Sequence, residues 1–146
     1  MTHRAEQIMA AVETALSGLT TTGANVFRGR EHAQHAAGNL PALLLQIQGD
    51  APNNEGQTVG RAYWDLGVVV EIVVAAATDY EALLLQIRGE VTVALRSDYQ
   101  LGLSFVQETV EGPAEAPQPT DQNGRHFSYP VHWTVTYSRS WDDPSV

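Results

Sequence analysis

The sequence predicts an α+β domain: a two-layer sandwich in which a mainly antiparallel sheet of about four to five strands carries two helices packed on one face. Two stretches repeat their apolar residues at helical spacing, and several others alternate at strand spacing. The longest alternating stretch has one wholly apolar face and one mixed face. Read in order, the chain gives helix, short strand, strand, long strand, helix, strand, strand, so two helices must serve one sheet. A sheet with a single apolar face places both on that side.

The first helix is marked by Ile8, Ala11, Val12, Ala15, Leu16 and Leu19, which fall on one helical stripe. Thr20, Thr21, Thr22 and Gly23 end it, and Asn25 to Arg28 reads as a short strand. Pro41 opens a compact apolar strand over residues 42–48, a position where its missing N–H costs least. Residues 49–60 are polar, cannot bury enough apolar surface to pack alone, and read as an exposed loop.

The longest strand covers residues 61–76, with Trp64, Leu66, Val68, Val70, Ile72 and Val74 on the core face. Its other face carries Tyr63, Asp65, Val69, Glu71 and Val73, a mixture suited neither to bulk water nor to a dry interior. Thr78 and Glu81 have the spacing of a capping box, so the second helix starts near Tyr80 and ends near Ser97. Its buried stripe is Leu84, Ile87, Val91, Ala94 and Leu95, and Gly89 interrupts it at a cost of about 1 kcal/mol against alanine.

A strand over residues 103–110 precedes a second loop, 112–125, which is rich in Pro, Asp, Asn and Gly. The last strand alternates cleanly. Phe127, Tyr129, Val131, Trp133, Val135 and Tyr137 face the core, with His126, Ser128, Pro130, His132, Thr134, Thr136 and Ser138 opposite, and a short tail follows over 140–146.

The 146 residues suit one domain spanning 1–146, with no internal repeat and no linker. A chain of this size buries roughly 68–70% of its unfolded surface without disulfides or metal. Without cysteine, a disulfide framework, a thiolate metal site and a thiol nucleophile are excluded. The formal charge is −9, from seventeen carboxylates against eight basic residues, all of them arginine. Such a chain lacks the basic stripe that grips nucleic acid through its phosphates. The first residues do not read as a secretory signal, and residues 66–77 are too short and too interrupted to span a bilayer, so a soluble intracellular product is expected.

No chemistry-bearing constellation emerges. Glu31, His32 and His35 are a dense group of possible metal ligands, but the segment carries helix breakers and no third ligand is placed, so a polar loop is the better reading. His126 and His132 lie six residues apart on one strand, nearly 20 Å, and cannot share a site. The same separation divides Asp65 from Glu71. No serine lies in a nucleophile elbow, and a chain without lysine cannot build a phosphate loop. No catalytic residue, metal or cofactor is expected.

Several pieces taken in order resemble the tail terminator proteins of siphophages of the lambda type. They are the first helix, Val26-Phe27-Arg28-Gly29-Arg30, Leu40-Pro41-Ala42-Leu43, the Tyr63-Trp64 strand, the helix after Thr78-Asp79, and Thr134-Val135-Thr136-Tyr137. The resemblance covers nearly the whole chain. It implies a small α+β fold without enzymatic activity, assembled as a homohexameric ring at the head-proximal end of a phage tail and made in the host cytoplasm.

Such a ring binds the last ring of tail tube protein, ends tube growth at the length the tape measure protein sets, and offers its other face to a head-completion or connector protein. Genomic DNA passes through the lumen without specific binding, and no membrane is involved. Six copies carry a charge of roughly −54, which suits a lumen that does not hold DNA. The residues expected to meet neighbours are Tyr63, Asp65, Val69, Glu71 and Val73 on the mixed face, Asn53 and Glu55 in the first loop, Glu115 and Asp121 in the second, and Trp141 in the tail. The 112–124 loop and Trp141-Asp142-Asp143-Pro144 depart from the family's pattern. The competing readings are another phage neck protein, such as a head-completion or tail-completion connector, and a small α+β enzyme or ligand-binding domain. The latter would need polar groups on the buried faces, which read as apolar.

Overall fold

The computed structural model describes residues 2–29, 40–58, 60–75, 78–119 and 126–146, with the backbone alone for 54–58. Its elements are α1 (Arg4–Leu16), β1 (Val26–Arg28), β2 (Ala42–Thr58), β3 (Arg61–Ala75), α2 (Tyr80–Arg96), β4 (Val106–Ala114), β5 (Gln118–Pro119) and β6 (His126–Ser140). They form an α+β fold with one open six-stranded sheet, ordered β1-β2-β3-β6-β4, with β5 also on β6. Among the described residues, β1 and β2 pair in parallel and the other strand pairs are antiparallel.

Both helices lie on one face, as the single apolar sheet face requires. Ile8, Met9, Val12 and Leu16 of α1 and Leu84, Ile87, Val91 and Leu95 of α2 share one buried cluster with Leu43, Leu45, Leu66, Val68, Val70, Ile72 and Val74 of the sheet. The expected core faces of β3 and β6 are realised, with Trp133 and Tyr137 among the largest fully buried side chains. Phe127 is only partly buried; its ring stacks on Tyr80 at 4.1 Å and ties the start of α2 to the start of β6.

α1 begins at Arg4, where the His3 ring accepts from the Ala5 amide at 3.0 Å, a cap supplied by an imidazole. It stops at Leu16 because Gly18 takes φ 91, so Leu19 packs on the core from a turn rather than from the helix stripe. At α2 the expected capping box is absent: Asp79 is the N-cap and makes no side-chain cap bond, and Glu81 is exposed. Packing of the Leu84 stripe holds this helix instead. Arg88 fastens it to the sheet, donating to Glu111 of β4 at 2.8 Å and to the Tyr129 hydroxyl of β6 at 2.9 Å.

The largest correction concerns residues 49–60. They are not an exposed loop: β2 continues to Thr58 beside β3, with register shifts between Ile47 and Gly49 and between Asn53 and Thr58, and Gly60, at φ 80, turns the chain back at Arg61. Polar composition is compatible with this strand because β3 supplies backbone partners along one edge. The expected strand over 103–110 is displaced to Val106–Ala114, since Leu103 and Phe105 cover the core from turns. The start of the second loop is therefore strand as well, with a register shift between Glu111 and Ala114 that accommodates Pro113 at the edge. Residues 120–125 and the Glu31, His32 and His35 group lie outside the described residues.

Candidate functional site

The sheet face turned away from the helices is built by the odd-numbered residues of β3 and their registered neighbours. Val69 sits between Gln46 of β2 and His132 of β6, Glu71 between Leu44 and Pro130, and Asp65 between Ala51 and Thr136. Strand pleating aims all of these to one side. A hollow of about 420 Å³ opens there, lined by apolar Val69, Ile47 and Pro130 together with Glu71, Glu115 and His132.

A bulge in β2 shapes the hollow. Register shifts between Ile47 and Gly49, leaving Gln48 as the extra residue. Gln48 Oε1 lies 2.5 Å from His132 Nδ1, while His132 Nε2 lies 3.2 Å from Glu115 Oε1. One imidazole thus links β2, β6 and the segment after β4.

The two acids on β3 are held separately. Asp65 Oδ1 accepts from the Thr136 hydroxyl at 2.7 Å and from Asn53 Nδ2 at 3.4 Å. Glu71 accepts from the Ser128 hydroxyl. The structure therefore joins Asn53 to Asp65 and places Glu71 with Glu115 around one hollow. Tyr63 is half-buried on the same face.

Val69 and Val73, expected to meet neighbours, are only 4% and 6% exposed within the chain itself. Val73 joins Ala42 and Leu44 in a small apolar cluster on this face, with Phe27 and Leu40 beside it. Trp141 is 60% exposed but follows Ser140, at the far end of the strands from Glu71. The Glu55 side chain and Asp121 lie outside the described residues.

Sequence reasoning missed two features. Asp50, taken as a loop residue, lies on the helix side of the sheet and accepts from the Tyr137 hydroxyl at 2.7 Å. Burial raises its pKa above the ordinary carboxylate range, against the lowering effects of Tyr137 and Arg139. The other is an exposed apolar strip on α2, with Leu85 60% and Val93 71% exposed and Gly89 beside a shallow groove. Its signal was present as a second apolar spacing on the helix.

Among the described residues, no group of three His, Asp or Glu side chains could hold a metal ion. No helix there is long and apolar enough to cross a membrane. The surface offers hydrogen-bonded acids, amides and an imidazole beside an apolar lining, a chemistry suited to contact with another polar and cationic surface.

No protein-family model and no characterised protein sequence matches the chain. Among solved structures, the fold is similar to that of a chain from a structure titled "Virion of native gene transfer agent (GTA) particle". The superposition has a TM-score of 0.55 at 12% sequence identity, covering 90% of this chain and 95% of that one. The two chains share a fold.

Proposed function

We propose that this protein is a structural subunit of a phage-like virion, forming a ring that caps the tail tube, ends its polymerisation and presents the attachment surface for the head. The observation that carries this reading is the match of the whole fold to a chain of a gene transfer agent virion, nearly end to end on both sides. It agrees with the ordered sequence resemblance to siphophage tail terminators. It also agrees with a sheet whose second face holds a hollow rather than a plain solvated surface.

In this reading the subunit has no catalytic task. Its partners are further copies of itself in a hexamer, the tail tube protein, the tape measure protein and a head-completion or connector protein. The fixed charge of −9 keeps DNA from adhering as it passes.

Electron microscopy of particles produced without this chain tests the proposal. Overlong tails that fail to join heads are the expected result. Tails of normal length would overturn the terminator role and assign the chain to another position in the neck.

A further inference from the structure

In a chain without lysine, arginine is the only permanently charged side-chain cation, and eight arginines face seventeen carboxylates. Arg28 pairs with Glu6 and Glu13, Arg88 with Glu111, and Arg96 approaches Glu108 at 4.0 Å. Among the described residues, Arg4, Arg61 and Arg139 have no such carboxylate partner. These three lie at one end of the strands, Arg61 on the sheet face turned away from the helices and Arg139 on the helix side.

That end is where α1 and β3 begin and β6 finishes. Arg61 registers with Ser140 and Ala62 with Arg139, while Arg4 donates from Nη1 to the Ser138 carbonyl at 2.6 Å. Arg4 feels Arg61 as a like charge. Aromatic rings support two of the cations, Trp64 under Arg139 at 4.1 Å and Phe105 under Arg4 at 4.4 Å. The Nε groups of Arg4 and Arg139 are buried without a partner. Exposed Trp141 follows Ser140 directly. Asp50, which feels Arg139, is engaged by Tyr137, and Asp143 is engaged by Ser145.

Pre-oriented arginines on aromatic supports beside an exposed tryptophan have the composition of interface anchors. Like charges held together call for an external anion. A polyanion such as DNA is repelled at long range by the net charge of −9, whereas a carboxylate on a protein surface is met only on docking.

The same chain carries the complementary surface. Among the described residues, Asp65, Glu71 and Glu115 have hydroxyl, amide and imidazole partners but no arginine. Around Glu71 and Glu115, the apolar lining of Ile47 and Pro130 suits the aliphatic stem of an arginine while the acids meet its head. Within one protomer Arg61 cannot reach Glu71, ten residues and about 33 Å along β3.

The geometry points to a head-to-tail contact in which Arg61, at the strand end that also carries Arg4 and Arg139, enters the hollow lined by Glu71 and Glu115 on a second copy of this chain. The inference rests on the ring reading above, since a contact between two different patches is the kind that closes into a ring.

Sedimentation of the purified full chain over a concentration series, at low and high salt, tests it. Wild type should self-associate at low salt and dissociate as salt rises. Arg61→Glu and Glu115→Arg should each weaken association by roughly tenfold or more, and the two together should restore it. Both sites are exposed, so thermal melts should remain those of wild type. Association indifferent to both reversals overturns the contact and leaves the ring reading standing, as does a double variant that restores nothing. A wild type that stays monomeric throughout also overturns the contact, with the ring reading left to the tail-length experiment. Binding of labelled duplex DNA that is lost in Arg61→Glu would assign this strand end to phosphate and overturn the proposal.

Discussion

The Tyr137 hydroxyl donates to Oδ2 of Asp50 at 2.7 Å, and this bond exists because Gln48 is bulged out of the β2 ladder. The register before the bulge pairs Ile47 with Val68; extended without interruption, it would set Asp50 opposite Asp65. The bulge sets Asp50 opposite Leu66 instead, on the helix side of the sheet. It separates two carboxylates that would repel across the strands, and delivers one of them to a buried phenol.

Asp50 gives the fold a defined pH response. Burial raises its folded-state pKa above the unfolded value, so the folded chain holds the proton more tightly. Its stabilising contribution is complete below the unfolded carboxylate pKa and is lost as pH rises through the raised folded value. Asp50→Asn, which keeps an acceptor for Tyr137, should therefore gain in melting temperature over wild type as pH is raised from acid to neutral. Parallel melts at several pH values check this, and a constant difference would remove Asp50 as the cause.

Tyr137→Phe removes the donor and leaves both Asp50 oxygens without a protein partner, since Oδ1 already has none. The expected loss is about 1–3 kcal/mol, read by urea titration at neutral pH. It should be smaller in the Asp50→Asn background, where no buried charge is stranded.

Gly89 lies inside α2, and a methyl group built on it meets nothing within 4 Å. Gly89→Ala should raise stability by about 0.5–1 kcal/mol through helix propensity alone. Calorimetry should show a rise of a few degrees.

Val69 and Ile47 both line the hollow, but one is 4% and the other 47% exposed. Val69→Asp buries a charge between Gln46 and His132 and should cost roughly 2–4 kcal/mol. Ile47→Asp should leave the melt within about 0.5 kcal/mol of wild type. A comparison of the two melts separates packing within the subunit from surface available to a neighbour.

Much of this architecture is legible in the sequence because periodicity records burial. The stripes on α1 and α2 and the alternation of β3 and β6 identify the core face, and one apolar sheet face fixes the layer on which both helices sit. The polar half of β2 carries no such record. It is a strand because β3 supplies its backbone partners, and hydrogen bonding across a ladder does not depend on which side chains the strand bears. The mixed face of β3 could be named from residue types, yet only the fold shows Val69 covered and Glu71 and Glu115 around one hollow.

The sequence by itself determined the α+β class, the apolar core and an acidic chain whose permanent side-chain cations are all arginines. Tertiary structure alone decided where, among the described residues, an arginine is left without a carboxylate partner. Arg4, Arg61 and Arg139 are far apart along the chain and come to one strand end because α1 caps the end at which β3 starts and β6 finishes. The Gln48 bulge acts in the same way on Asp50, since one unpaired residue turns every following side chain to the other face. Composition counts charges, whereas strand register and helix docking decide which of them face one another.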